Sequence, residues 1–413
     1  MRKITTILLL CLSATLMQAQ ISIGGSIYGG GNAGNTGGSS KVTVYSGNLH
    51  AVFAGARMAN VGGSSFVHLD GEHASDYILI DYVYGGNDIA GTIGSSKKLP
   101  TELTKVGTTT GLNNIDSTWN AFVRISPIPA VNYTQAEIAA AKEGDDAYGK
   151  TTSDTKNKVP IYIGQLFGGG NGYYDYVTSG AGTVVKDKVT GAEVATSTNV
   201  LSSPVLGKTY LELLGGSIVY AYGGGNDATI TDKTVICLDN SSKVVNSIKD
   251  TLVTKDNGGE LLTNDRFELM RINTTFSYPS SDEYQIGRLF GGNNKADMAI
   301  RPRWNLQEGR VRNLYGGGNE GRMTSPEGLL MQIEGAGMVV DNVYGGCRKA
   351  DVKPLYNNND ATPVPYNDVA LDPEDNPNHI PAGYAARVRV LAGHITTYMV
   401  VTISLVTSMP VIP

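Results

Sequence analysis

Carboxylates set beside glycine turns could hold a cation, and the chain has two such places. Asp88 follows Tyr84-Gly85-Gly86-Asn87, and Asp227 follows Gly223-Gly224-Gly225-Asn226. Stacked Gly-Asp nonapeptide turns grip calcium between neighbouring carboxylates. Here the glycine run does not recur every nine residues, and Gly172, Asn294 and Glu320 fill the matching place in other copies. A structural turn is therefore expected, with calcium the alternative and no other cofactor indicated. The five histidines (His50, His68, His73, His379 and His394) show no metal-ligand spacing. Paired carboxylates would suit cleavage of a glycosidic bond. Asp145-Asp146 and Glu374-Asp375 supply acids, but in loops that nothing in the sequence brings together. A loop that cradles phosphate precedes a helix and occurs once per site, whereas this one recurs about eight times and runs into strand-like stretches. No catalytic residue is assigned on these grounds.

The glycines are what organise the chain. Tyr28-Gly29-Gly30-Gly31-Asn32, Tyr222-Gly223-Gly224-Gly225-Asn226 and Tyr315-Gly316-Gly317-Gly318-Asn319 share one motif, and Phe167-Gly168-Gly169-Gly170-Asn171 exchanges the aromatic. Shortened forms run from Tyr84 to Asn87 and from Phe290 to Asn293; another follows Tyr344, and a worn copy follows Phe53. Glycine loses more backbone freedom on ordering than any other residue. A run of three is therefore expected only where φ is positive or another backbone passes close. Gly317 is expected to resist replacement by Val because of a positive φ.

Phe53, Tyr84, Phe167, Tyr222, Phe290, Tyr315 and Tyr344 follow the preceding aromatic by 25, 31, 83, 55, 68, 25 and 29 residues. Most of these intervals correspond to one, two or three units of about 28 residues, a period that signals stacked supersecondary units. Around the glycines the unit has alternating runs, such as Ser40-Lys41-Val42-Thr43-Val44, Thr209-Tyr210-Leu211-Glu212-Leu213 and Arg387-Val388-Arg389-Val390. Each reads as a short strand with one apolar face. Strands at this period bury those faces only by stacking on the next copy. The fold class expected is all-β: a repeat solenoid, in the form of a right-handed parallel β-helix with loop insertions. Its glycines mark corners, its aromatics stack as a ladder, and its asparagine side chains satisfy turn amides.

Five segments follow. Residues 1–19 read as a signal peptide, with Arg2 and Lys3 before the apolar run Ile7–Leu12 and a cleavage site near Ala19-Gln20. Residues 20–98 and 161–397 carry the β-repeats, the second with loop insertions at 240–283 and 355–384. Residues 99–160 read as an insertion with one short helix around 134–143, opened by the capping box Thr134-Gln135-Ala136-Glu137. No stretch beyond the signal is long and apolar enough for a membrane helix. Cys237 and Cys347 remain after the signal, and two unlinked residues are the simpler expectation.

Residues 398–413 read as an out-of-frame tail. The aromatic-glycine signature is due after Arg387–Ile395, yet Thr397–Ser404 lacks glycine. Read from the third base of each codon, that stretch permits Val-Tyr-Gly-Gly-Asn-Asp-Ile and then Ala-Gly, the string written openly at Val83–Gly91.

The repeats resemble those of secreted bacterial β-helix adhesins and polymorphic outer-membrane proteins, which carry Gly-Gly-aliphatic and Phe-x-x-Asn repeats. Phe290-Gly291-Gly292-Asn293 fits the second pattern. The resemblance covers the repeat units and carries over no functional residue. It implies an exported chain at the outer-membrane surface of a Gram-negative-type bacterium or outside the cell, acting as a scaffold that binds a glycan or protein. A β-helical carbohydrate-active enzyme, lyase or hydrolase, is the alternative. Nucleic acid is not an expected partner, since the net charge is −5 and no basic cluster occurs.

Overall fold

The computed structural model describes residues 22–74, 77–94, 119–126, 132–145, 147–154, 161–173, 176–178, 185–187, 193–195, 203–230, 234–239, 248–249, 283–325, 328–352, 385–399 and 403–405. Two long parallel arrays dominate. The first takes Ser22–Tyr28, Gly47–Phe53, Ile78–Tyr84, Ile161–Phe167, Ser217–Tyr222 and Ile286–Phe290 in chain order. It continues through the second half of Pro302–Tyr315, then Gly337–Tyr344 and His394–Met399. The second takes Ser40–Val44, Ser65–Leu69, Trp119–Ile125, Lys208–Leu213, Thr234–Asp239 and the first half of Pro302–Tyr315. The chain thus passes alternately through the two arrays. A third line of parallel bridges joins Thr36, Val61, Ile93, Val205 and Ile230, and another joins Met298, Met323 and Val352.

Strand residues point alternately to opposite faces, and the inward faces are aliphatic. Val42, Leu69, Val123, Leu211 and Leu306 of the second array meet Leu49, Ile80, Ile163, Ile218, Leu289 and Leu314 of the first in one continuous buried core. The third line adds a smaller cluster of Ala56, Val61, Ile93, Val205 and Ile230. Parallel pairing in register places like residues one above another, as at Tyr28↔Phe53, Phe53↔Tyr84 and Tyr84↔Phe167.

Three features differ from the sequence reading. The intervals of 83, 55 and 68 residues each span one step, because Phe167 pairs directly with Tyr84, Tyr222 with Phe167 and Phe290 with Tyr222. Trp119–Ile125 lies inside the stretch read as an insertion, yet it is a strand between Ser65–Leu69 and Lys208–Leu213. The helix spans only Gln135–Ala140, and Ala141 is already extended. Its capping box is present, but it buries no residue, so no packing prolongs it beyond its own propensity. Of the stretches 240–283 and 355–384, only 248–249 and 283 fall within the described residues. The signal segment and most of the tail also lie outside them.

Candidate functional site

The motif aromatics form one stack of eight rings. Tyr28, Phe53, Tyr84, Phe167, Tyr222, Phe290, Tyr315 and Tyr344 follow one another at centroid distances of 4.6–5.0 Å, with ring planes within 9° of parallel. Strand spacing in a parallel sheet sets that step. Through the first seven rungs tyrosine and phenylalanine alternate. Phe53 lacks a hydroxyl, and past its rung the Tyr28 hydroxyl reaches Asp88 Oδ2 at 2.9 Å.

The glycines after each ring stand where the next pass of chain comes close. A Cβ on Gly168 would strike the carbonyl of Gly223, and one on Gly224 would strike the Asn293 side chain. At Gly317 a Cβ would lie 2.5 Å from Cys347 Sγ and 2.9 Å from Met323 Cγ. Gly317 is not among the glycines of positive φ, and neither is Gly30 nor Gly224. The positive φ expected at Gly317 is therefore corrected: close approach, not handedness, excludes a side chain there.

Four places after the ring runs a second ladder, made of side-chain amides. Asn171 donates to Asp88 Oδ1 (2.9 Å), Asn226 to Asn171 (2.8 Å), Asn294 to Asn226 (2.8 Å) and Asn319 to Asn294 (2.7 Å), and Arg348 donates to Asn319 (3.2 Å). At the other end Arg57 donates to Asn32 at 3.3 Å. From Arg348 to Asp88 all the bonds run one way. The amide dipoles therefore add, with their positive ends toward the Asp88 carboxylate and their negative ends toward the Arg348 guanidinium, like charges set at the ends of a helix dipole.

Asn87 and Asn293, grouped in the sequence with the other motif asparagines, stand outside this ladder. In Tyr84-Gly85-Gly86-Asn87-Asp88 and Phe290-Gly291-Gly292-Asn293-Asn294 the asparagine replaces the third glycine, and the residue after it joins the ladder. Nothing is shortened. Asn87 Oδ1 accepts from the Ala56 amide at 2.7 Å, and Asn293 Oδ1 accepts from the Gly225 amide at 2.8 Å. These two satisfy turn amides as expected; Asn171 and Asn226 bond each other instead, and Asn319 bonds Asn294. Counting from the aromatic rather than to the asparagine would have found Asp88, Asn294, Arg57 and Arg348 in the sequence.

Along the ladders runs a groove of about 600 Å³. Its lining on the strand side includes His50, Tyr82, Gln165 and Tyr220; on the turn side it includes Asp88, Asn171, Asn226, Asn294 and Asn319, with Lys295, Glu320, Arg348 and Lys349 beyond. Tyr82, Gln165 and Tyr220 are register neighbours two places before their ladder rings. The Tyr220 hydroxyl accepts a hydrogen bond from Arg288, whose guanidinium also lies 5.1 Å from the ring centroid. Lys349 pairs with Glu320 at 2.8 Å, and Lys295 Nζ sits 4.0 Å from the Tyr173 ring centroid. Two places before the ring successive passes carry Ser26, Ala51, Tyr82, Gln165, Tyr220, Arg288, Asn313 and Asn342, so the place recurs but no constant residue type signals it.

Burial raises the Asp88 carboxyl above the usual aspartate range, against the hydrogen bonds from Asn171 and Tyr28 that lower it. Burial likewise raises Tyr28, Tyr84 and Tyr222. His50 is raised by its hydrogen bond to Asp81 at 2.9 Å. The other described histidines near it in sequence serve local contacts. His73 bonds Asp70 at 2.9 Å, and His68 bonds Ser126 at 2.6 Å and is held neutral by burial, its pKa lowered to about 4. Asp145 accepts from the Lys142 amide in its own turn; Glu374-Asp375 lies outside the described residues. Cys347 is a free thiol whose pKa burial pushes up to about 11. Among the described residues, no three His, Cys, Asp or Glu side chains converge as a metal site, and no helix is long and apolar enough to cross a membrane.

Comparison with known protein families, curated proteins and solved structures finds no match to this chain.

Proposed function

We propose that the chain is an exported right-handed parallel β-helix that serves as a surface or extracellular scaffold and binds a glycan or protein along the groove. The observation that carries this reading is the repetition of the lining. The turn side presents four amides, Asn171, Asn226, Asn294 and Asn319, one to a rung at strand spacing, which suits an extended ligand held by repeated contacts. An enzyme would need unlike groups gathered at one point. Among the described residues of the lining the carboxylates are Asp88 and Glu320, which stand four rungs apart, about 19 Å at strand spacing. Glycosidase carboxylates lie roughly 5–9.5 Å apart. The β-helix itself is supported by two parallel arrays and a third line of bridges that the chain visits in turn.

The test is a screen of the full chain against immobilised glycans and extracellular proteins, with product analysis of every glycan bound, and fractionation of the native host. Saturable binding without cleavage, in a chain found outside the inner membrane, is expected. Cleavage of a bound glycan would turn the reading to the enzyme; a cytoplasmic chain would end it.

A further inference from the structure

We infer that the ligand of the groove is an extended, uncharged glycan lying parallel to the ladders, with about one sugar unit to each rung. This rests on the groove being the binding face, as proposed above. Three observations favour it over a peptide or a charged polymer.

The first is the step. Neighbouring rungs lie 4.6–5.0 Å apart along the whole stack. An extended peptide advances about 3.3–3.4 Å per residue and slips out of phase with such a ladder after one rung. An extended chain of linked pyranoses advances close to one rung per sugar and stays in phase.

The second is hydrogen-bonding capacity. An amide side chain has two N–H donors and an oxygen with two lone pairs. In the ladder Asn226 donates once, to Asn171, and accepts once, from Asn294. Asn319 likewise donates to Asn294 and accepts from Arg348. Each keeps one donor and one acceptor, and both line the groove. A sugar hydroxyl, donor and acceptor at once, matches that pair. A row of carboxylates or sulfates would use only the donors.

The third is charge. The cations of the lining are engaged: Lys349 on Glu320, Lys295 over the Tyr173 ring and Arg348 on Asn319. The anion Asp88 is held by Tyr28 and Asn171. Among the described residues of the lining, no stretch offers an uninterrupted row of like charges to a charged polymer. The groove runs past eight rungs, about 34 Å, so affinity should grow with ligand length up to roughly seven or eight sugars.

The experiment titrates the full chain with linear neutral oligosaccharides of graded length, with uronate oligosaccharides of the same lengths and with an extended peptide library, at low and high salt. Expected are neutral ligands that tighten with length to a plateau near eight units and change less than twofold with salt. Affinity confined to uronates and lost in salt overturns the inference, as does a peptide or protein that binds while neutral glycans of every length fail. In those cases the scaffold reading survives. Absence of any ligand in this and the wider screen removes both.

Discussion

Gly224 tests whether close approach between successive passes of the chain dictates the motif. Replacing it with Ala puts a Cβ against the Asn293 side chain, whose Cγ would lie 2.9 Å away. Asn293 cannot swing aside cheaply, for it is 1% exposed, accepts from the Gly225 amide at 2.8 Å and donates to the Asp297 carbonyl at 3.2 Å. Displacing it loses two hydrogen bonds worth about 1 kcal/mol each and leaves a buried amide without its acceptor. Overpacking adds about 1–3 kcal/mol, and the stiffer unfolded chain returns about 0.4–1 kcal/mol. The net for Gly224→Ala is a loss of about 2–5 kcal/mol. Asn293→Gly alone should cost about 2 kcal/mol, since it gives up the same two bonds. The double variant writes Phe-Gly-Gly-Gly-Asn at 290–294, the motif that already stands at Phe167–Asn171. It should cost at least ~1 kcal/mol less than the sum of the single changes; relief stays partial because the Asn293 backbone nitrogen remains 3.2 Å from the new Cβ. Urea denaturation of the four proteins measures the cycle. Additivity within ~0.3–0.5 kcal/mol, or a Gly224→Ala variant as stable as the parent, refutes the reasoning.

Other outcomes follow from the same geometry. Phe290 is fully buried between Tyr222 at 4.8 Å and Tyr315 at 4.7 Å; Phe290→Ala should lose about 3–5 kcal/mol in urea titrations, while Phe290→Tyr should lose far less. Asp88 has a raised pKa in the folded chain, so the stability it contributes is present below the unfolded aspartate pKa and is lost as pH rises through the folded value. Asp88→Asn should therefore be more stabilising at pH 7 than at pH 4, and a pH-independent difference would contradict burial as the cause. His50 carries the same sign in a higher pH window: its raised pKa stabilises the fold below the unfolded histidine value, and that contribution fades as pH rises through the folded value. His50→Gln should flatten the urea midpoint between pH 6 and 8. For the tail, the register sets Val343 opposite Tyr398 and Tyr344 opposite Met399. With one base restored upstream, the shifted reading places its valine and tyrosine at those two numbers. Nucleotide sequencing should find the aromatic-glycine string in that frame, and an immediate stop there would refute it.

The ring ladder was legible because the aromatic has a fixed place before the glycines and parallel strands pair in register. The count of rungs was not. Tyr84 and Phe167 stack directly although 83 residues separate them, since stacking asks only that the chain return, not how soon. The close approach at Gly224 was half legible: the glycine run offered positive φ or crowding, and only coordinates show which atom crowds. At Asp88 the sequence points to a structural turn, with calcium the alternative, and the structure shows its carboxylate as the end of an amide row. Tyr82 and Tyr220 share one place in the repeat, but the residue type there changes from pass to pass, because that place faces the groove rather than building the core.

The pairing of unequal chain lengths with equal steps has a mechanical consequence. If the two ends of the stack are drawn apart, neighbouring passes carry the load in series and should peel away singly. Each detachment releases the chain between two rungs. At roughly 3.4 Å per residue that is about 85 Å for the 25 residues from Tyr28 to Phe53, and about 280 Å for the 83 from Tyr84 to Phe167. The chain would lengthen in an uneven staircase whose treads follow the intervals between its aromatic residues.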